Sequence, residues 1–242
     1  MNLQNNYSGS VNQTYKTTAI ANSFIANVFS WMFLALAVTA VTSYFFASSE
    51  TLIGSLIDLQ TGKMNMLGWV VTLSPFAFVM LISFGLRRLS FGTLSMLFIV
   101  FAILMGMSLS FILKFYTASS VALTFVVTAA TFGVMAFLGY TTKTDLTKFG
   151  SLMMMGLVGI IIASIANFFM RSGTLDYIIS FIGVLVFTGL TAYDVQKLKR
   201  IGRGEMYGSQ PLNKLVILGA LNLYLDFINL FLFLLRFLGN RK

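Results

Sequence analysis

Seven apolar stretches of about twenty residues recur along this chain of 242 residues, and they constrain its fold more than any other feature. An α-helix needs roughly 20 apolar residues to cross the hydrocarbon core of a bilayer. Hydrophobic residues form 57% of the chain and charged residues only 10%, a balance that a soluble domain of this length would not tolerate on its surface. A transmembrane barrel would instead show alternating segments of about ten residues. The sequence therefore predicts an all-α membrane protein, a seven-transmembrane helix bundle.

The predicted spans leave little of the chain outside the membrane. Only the connections at 48–66 and 197–214 are longer than a short loop, so we expect one seven-helix domain over residues 22–242. Residues 1–21 form a polar tail rich in Asn, Ser and Thr, which we expect to be disordered. The predicted spans, numbered 1 to 7, are 24–47, 67–86, 91–113, 121–140, 151–170, 177–196 and 215–238.

Basic residues in alternate connections predict the direction of the spans, because cytoplasmic loops carry an excess of Lys and Arg. This predicts a cytoplasmic N-terminus and a C-terminus outside. The net charge of +9 is scattered through connections, which favours contact with anionic lipid over nucleic acid. The predicted inner side holds Lys16, Arg87, Arg88, Lys143, Lys148, Lys197, Lys199, Arg200, Arg203 and Lys214, and the other side holds Lys63, Lys114, Arg171, Arg236, Arg241 and Lys242.

The chain contains no cysteine and no histidine. This removes disulfides, thiol nucleophiles, imidazole bases and the usual zinc ligands. Any binding of ions must then depend on carboxylates, hydroxyls and amides. We expect no cofactor.

Two aspartates, Asp194 and Asp226, lie within spans 6 and 7, whereas the other acidic residues lie in connections or at helix ends. A charged side chain near the centre of a bilayer costs roughly 2.5–3.5 kcal/mol on insertion scales, and such groups face a bundle interior, a cavity or a partner. Two carboxyl groups on consecutive spans predict one shared polar site.

Further polar residues accompany each aspartate. In span 7, Asn222, Asp226 and Asn229 lie four and three residues apart and share one helix face. In span 6, Thr191 lies three residues before Asp194 on the same face. We therefore expect Thr191, Asn222 and Asn229 to form a polar stripe near an ion pathway.

Plainer interpretations remain for both aspartates, and their depths differ. Asp226 could hydrogen-bond between helices, and Asp194 could pair with Lys197 at the helix end. A helix ending at residue 196 puts Asp194 about 3 Å from its end, whereas Asp226 lies about 16 Å into span 7. The carboxyls meet only if span 6 continues as a helix through residues 197–200, or if span 7 begins above the membrane.

If the two carboxyls meet, both cannot ionise cheaply in a medium of low dielectric constant. The pair would then titrate as a unit and act as a proton-sensitive switch. Calcium, a hard cation that prefers oxygen ligands, suits the same pair, so Asp194 and Asp226 are also a candidate calcium site. Arg87 and Arg88 end span 2 on the side of Asp194, where either could latch onto the carboxylate or merely set topology.

Four sequence segments carry a resemblance to a known family. They are GLTAYDVQKLK around Asp194, LNLYLDFINLFLFLLR around Asp226, GYTTKTDLTKFG at 139–150 and IIASIANFF before Arg171. With these segments in this order, the chain resembles the Bax inhibitor-1 family, also called the transmembrane Bax inhibitor motif family, from about residue 24 to residue 238.

The resemblance implies a seventh helix enclosed by the other six. It also implies a calcium leak that protons control through paired aspartates, a role that falls on Asp194 and Asp226 here. An arginine on span 2 that latches one aspartate in the closed state would correspond to Arg87 or Arg88. The composition and the polar tail resemble bacterial members, which implies a bacterial cytoplasmic membrane.

Three functions are therefore weighed. The leading hypothesis is a pH-sensitive calcium-permeable leak channel, which is not an enzyme. The second is a regulatory protein that modulates a membrane-anchored protease, as some bacterial members of the family are thought to do, with the polar tail as a handle. The third, an intramembrane aspartyl protease, matches at Tyr193-Asp194 but has Leu223 and Leu225 where glycines are expected, and no Pro-Ala-Leu element follows.

Overall fold

The structure, a computed structural model, describes the backbone of residues 2–58, 61, 63–206 and 211–240, and the side chains from residue 19 onward. Seven of its helices are long and apolar enough to cross a membrane, which confirms the all-α fold with seven spans. One isolated bridge joins Ile57 and Met64. The helices are α1 (Asn2–Ser48), α2 (Glu50–Gly54), α3 (Met66–Gly85), α4 (Phe91–Phe115), α5 (Ala118–Thr141), α6 (Thr147–Met170), α7 (Gly173–Gly202) and α8 (Leu212–Leu238).

The first helix contains both the predicted tail and the first span. The apolar, membrane-spanning part of α1 is Ala19–Ser48. The side chains of residues 1–18 lie outside the described residues, so the disorder proposed for residues 1–21 stays a prediction. The short helix α2 lies in the long connection between the first two spans.

Polar caps begin several helices before the apolar stretches that hydropathy detects. The Thr117 hydroxyl accepts a hydrogen bond from the amide of Ser120, and α5 begins three residues before its predicted start. The Ser172 hydroxyl accepts one from the amide of Leu175, and α7 begins four residues early. Each such cap satisfies an amide that has no partner within the helix and contributes about 1 kcal/mol.

The predicted end of span 6 at residue 196 is wrong, because α7 continues for six more residues. Tertiary contacts provide partners for two of the three basic residues in this extension, Lys199 and Arg200. The Lys199 ammonium donates to the carbonyl of Tyr140 at the end of α5. The Arg200 guanidinium lies 3.4 Å from the carboxylate of Asp145. A search for apolar residues stops at the first lysine, whereas the helix ends where its contacts end.

The spans run between two ends of the bundle. Among the described residues, the proximal end holds the start of the first span, the connections at 86–90 and 142–146 and residues 203–206, and the distal end holds the connections at 116–117 and 171–172. Asn22 accepts a hydrogen bond of 2.7 Å from the Tyr140 hydroxyl at the proximal end. At the distal end, Arg236 of α8 forms a 3.1 Å ion pair with Asp176 of α7.

Helix α8 is the most buried span and α6 the least. The principal packing partners of α8 are α7, α1, α5 and α4, with a smaller contact to α3, whereas α6 packs mainly against α7. The core of the bundle therefore lies around α8. Enclosure of this helix by all six other spans stays a prediction.

Gly139 allows α5 to approach α7 closely, since a Cβ atom at this position would collide with the backbone of Ala192. We expect Gly139→Ala to lower the free energy of unfolding by about 1–3 kcal/mol, because the two backbones must separate. Thermal unfolding in detergent micelles measures this. Gly159 of α6 is the matched control, since a Cβ atom there meets nothing within 4 Å. If both substitutions have the same effect, the close approach is contradicted.

Candidate functional site

Asp194 of α7 and Asp226 of α8 meet inside the bundle, with their carboxyl groups close enough to interact directly. An ionised carboxylate can only accept hydrogen bonds, so a hydrogen bond between the two forms only when one of them carries a proton. Asp226 is only 6% exposed, and its Oδ2 has no hydrogen-bond partner among the described residues. The pair is therefore a polar site with acceptor capacity to spare.

The extension of α7 explains how two aspartates of different predicted depth come together. The six additional residues move Asp194 about 9 Å further from the end of its helix. Helix α8 begins three residues before the predicted start, at Leu212. The sequence left two conditions open under which the carboxyls could meet. The structure meets the first of them, a helix that continues past residue 196.

The three side chains of the predicted polar stripe have different hydrogen-bond partners and surroundings. The Thr191 hydroxyl donates to the carbonyl of Phe187, at 2.8 Å, and the Asn229 amide donates to the carbonyl of Leu225, also at 2.8 Å. Both side chains thus bond to the backbone of their own helix. Asn222 instead lines a small cleft together with Asp194. A role for these residues in an ion pathway stays a prediction.

The cleft lies between α7 and α8 on the proximal side of the pair, and its volume is about 20 Å³. A site needs roughly 10–15 Å³ to hold one water molecule, so this cleft has room for one water molecule and none for a hydrated ion. Its walls are Asp194, Lys197, Leu198, Ile201, Leu215, Leu218, Gly219 and Asn222.

Lys197 is the basic residue nearest to the pair. It lines the cleft with Asp194, and its ammonium lies 6.0 Å from the ring centroid of Tyr193. The described residues contain no ion pair between Lys197 and Asp194 within 4.0 Å.

Arg87 and Arg88 are exposed at the end of α3, and neither contacts Asp194. The proposed arginine latch is not formed in this state and stays a prediction.

Tyr224, two residues before Asp226, belongs to a buried hydroxyl chain that sequence reasoning missed. The Thr39 hydroxyl of α1 donates to the carbonyl of Ala102 in α4, at 2.9 Å. Its single hydrogen is thereby used, so the Tyr224 hydroxyl donates to Thr39, at 2.7 Å. The only signal in the sequence is a pair of polar residues within apolar spans, 185 positions apart.

Aromatic rings pack around α8 on both sides of Asp226 in sequence. The Tyr224 ring contacts Phe101, with centroids 5.2 Å apart, and the Phe227 ring contacts Phe132, with centroids 5.5 Å apart. Both arrangements are edge-to-face, the geometry that aromatic pairs prefer. The two contacts pack α8 against its neighbours, Tyr224 against α4 and Phe227 against α5.

Gln196, inside the segment around Asp194, fixes the connection between α5 and α6. Its amide group donates to the carbonyl of Thr144 and accepts from the amide of Leu146, both at 2.8 Å. In the same connection, hydrogen bonds from Thr147 hold the pKa of Asp145 below its ordinary value, with a smaller contribution from the charge of Arg200. Gln196 thus joins the proximal connection to the helix that carries Asp194.

No three His, Cys, Asp or Glu side chains gather into a metal site in the residues that the structure covers. A cation at the pair would have two carboxylates, with Asn222 the nearest amide among the cleft residues. This donor set is smaller than the roughly six to eight oxygen ligands that calcium takes.

Comparison with known proteins confirms the family that the four sequence segments indicate. Residues 21–242 match the family described as "Inhibitor of apoptosis-promoting Bax1". The chain belongs to the Bax inhibitor-1 family. It is 44% identical to the inner membrane protein YbhL of Escherichia coli K12, over 91% of this chain and 92% of YbhL. A protein of Borreliella burgdorferi is also 44% identical, over 92% of this chain and 94% of its own length, and one of Deinococcus radiodurans is 37% identical over 94% of each.

The similarity to known proteins and the apolar helices both indicate the cellular membrane in which the protein lies. Seven apolar spans and full-length similarity to an inner membrane protein make it a multi-pass protein of the inner membrane. The match to the family covers both aspartates and, apart from the first two residues of the first span, all seven spans.

Proposed function

We propose that this protein is a pH-sensitive calcium-permeable leak channel, controlled by the carboxyl pair of Asp194 and Asp226. The observation that carries the proposal is the close approach of two carboxyl groups on neighbouring spans, that of Asp226 buried and that of Asp194 half-buried. Family membership and the narrow cleft on the proximal side of the pair support the same function.

The protonation of the pair would set the state of the channel. With one proton shared, the two side chains attract each other and hold α7 against α8. Loss of that proton leaves two negative charges in contact within a medium of low dielectric constant, where they repel strongly. The repulsion separates the helices, and the separated carboxylates become oxygen ligands for a calcium ion. Calcium here is the cargo and not a resident cofactor.

The charge distribution supports a cytoplasmic proximal end, with the N-terminus inside and the C-terminus outside. In this orientation the cleft beside Asp194 faces the cytoplasm. Lys197 in its wall would repel cations while the cleft is closed, and a cation would enter only as the helices part.

Calcium entry into liposomes tests the proposal. We expect purified protein to admit calcium faster than empty liposomes, with a rate that changes between pH 6 and pH 8. Asp226→Asn should abolish that pH response, because an amide does not titrate. Asp176→Asn, at the distal end of α7, provides a matched control that removes a carboxylate outside the pair. Absence of protein-dependent calcium entry at every pH, from folded protein, would reject the proposal.

The other two functions are less well supported. Membership of a family of the membrane Bax inhibitor type disfavours proteolysis by the aspartate pair. Regulation of a membrane-anchored protease stays a prediction, which co-purification of such a protease, lost on deletion of residues 1–21, would favour.

A further inference from the structure

A large apolar groove lies in the distal half of the bundle, away from the carboxyl pair. Its volume is about 670 Å³, within the range of roughly 300–1,000 Å³ typical of ligand pockets. Helices α1, α4 and α5 form its walls and α8 its floor. The lining residues include Leu36, Thr39, Ala40, Ser43, Tyr44, Lys114, Ala122, Phe125, Phe227 and Phe231.

The groove opens sideways, between α1 and α5. These helices are joined at the proximal end by Asn22 and Tyr140, but further along the bundle they form opposite walls of the groove. Tyr44 on one wall and Val126 on the other are 68% and 64% exposed. Because both helices are membrane spans, the surface onto which the groove opens is the one that faces lipid.

The chemistry of the lining does not suit an ion vestibule. None of its described residues is acidic, and the walls are mostly apolar. The one charged group is the ammonium of Lys114, in the last turn of α4. An apolar groove with a positive charge at its distal end is complementary to an anionic amphiphile and repels calcium.

Ser43 supplies a second, independent indication of a ligand. The residue is only 4% exposed, and its Oγ has no hydrogen-bond partner among the described side chains and backbone groups. A buried hydroxyl without a partner is rare and costly. Ser43 lies five residues before the end of α1, about 7.5 Å below it, whereas Lys114 is next to the last residue of α4.

We propose that this groove binds an anionic phospholipid, with one acyl chain between α1 and α5. The phosphate is held by Lys114 at the membrane surface. An ester carbonyl, which in a phospholipid lies below the phosphate, accepts a hydrogen bond from Ser43. A free fatty acid has only one polar group and cannot satisfy both residues. Tyr44 at the rim has the amphipathic ring typical of residues at the headgroup level.

Photolabelling tests this binding without depending on any ion flux. The probe is phosphatidylglycerol with a diazirine in one acyl chain, at low mole fraction in phosphatidylcholine liposomes that contain the full chain. We expect the label on residues 40–48, 122–126 and 227–231. Excess unlabelled phosphatidylglycerol should displace it, and excess phosphatidylcholine should not. Lys114→Gln should weaken that competition about fivefold, and Lys114→Arg should preserve it.

Filling the groove provides the decisive variants. Ala122→Trp, and independently Ala40→Phe on the opposite wall, should abolish labelling of the groove. Ile161→Trp on the exposed face of α6 is the matched control and should leave labelling of the groove unchanged. Equal labelling of α6 and of the groove, insensitive to the filling variants in folded protein, would mean ordinary surrounding lipid and overturn the proposal. Displacement by palmitate as effective as by phosphatidylglycerol would overturn it as well.

Discussion

Tyr224→Ala is expected to lower the free energy of unfolding by about 3–5 kcal/mol, the cost of removing a large aromatic side chain from a packed core. Tyr224 is fully buried, and its ring contacts Phe98 and Phe101, with centroids 6.1 and 5.2 Å away. Truncation leaves a cavity at the centre of the bundle, between α8 and α4. Unfolding of the purified protein in detergent measures the loss.

Two variants separate packing from hydrogen bonding at this position. Tyr224→Phe keeps the ring and leaves the Thr39 hydroxyl bonded to the carbonyl of Ala102, so it should cost only about 0.5–1.5 kcal/mol. Phe76→Ala, on the lipid-facing surface of α3, is the control for loss of an aromatic ring and should cost little. A Tyr224→Ala variant as stable as Phe76→Ala would show that the core around α8 is not packed as described.

Leu218→Ala is expected to raise calcium entry at the pH where entry through the wild-type protein is slowest. Leu218 and Asp194 both line the 20 Å³ cleft on the proximal side of the carboxyl pair. Shortening this side chain widens the passage to the carboxyl pair and lets a hydrated ion approach. A reduction of the barrier by about 1.4 kcal/mol would raise the flux about tenfold. Calcium entry into liposomes at fixed pH measures the change.

The matched control is Leu185→Ala, which makes the same substitution on the exposed surface of α7. It should leave calcium entry at the wild-type rate. If Leu218→Ala folds normally and its flux also equals that of the wild type, the cleft does not limit the pathway, and entry to the pair must follow another route.

Hydropathy predicts the seven spans because the thickness of the bilayer fixes the length of an apolar helix. It does not predict where α7 ends. Lys199 and Arg200 remain helical because the carbonyl of Tyr140 and the carboxylate of Asp145 satisfy them, and both partners are more than fifty residues away in sequence. Such contacts leave no trace in a local pattern.

The candidate site is predictable only in part, because the sequence shows its residues but not the contacts between distant parts of the chain. Two carboxyl groups in consecutive spans indicate a shared site, because isolated buried charges are too costly to keep. The contact itself depends on the extension of α7. The pairing of Thr39 with Tyr224 joins helices at opposite ends of the chain, and single polar residues do not identify their partners. Arg87 and Arg88 lie exposed and away from Asp194, so a latch formed by either of them stays a prediction.

The measurement that tests the central claim most directly is a double-mutant cycle on the pH dependence of calcium entry. Four proteins are compared in liposomes from pH 6 to pH 8: wild type, Asp194→Asn, Asp226→Asn and the double variant. If the two carboxyls form one site, each single variant should abolish the pH response, and the double variant should add nothing further. Calcium entry that keeps its pH response in either single variant, or effects that add as from independent sites, would contradict control by a shared carboxyl pair.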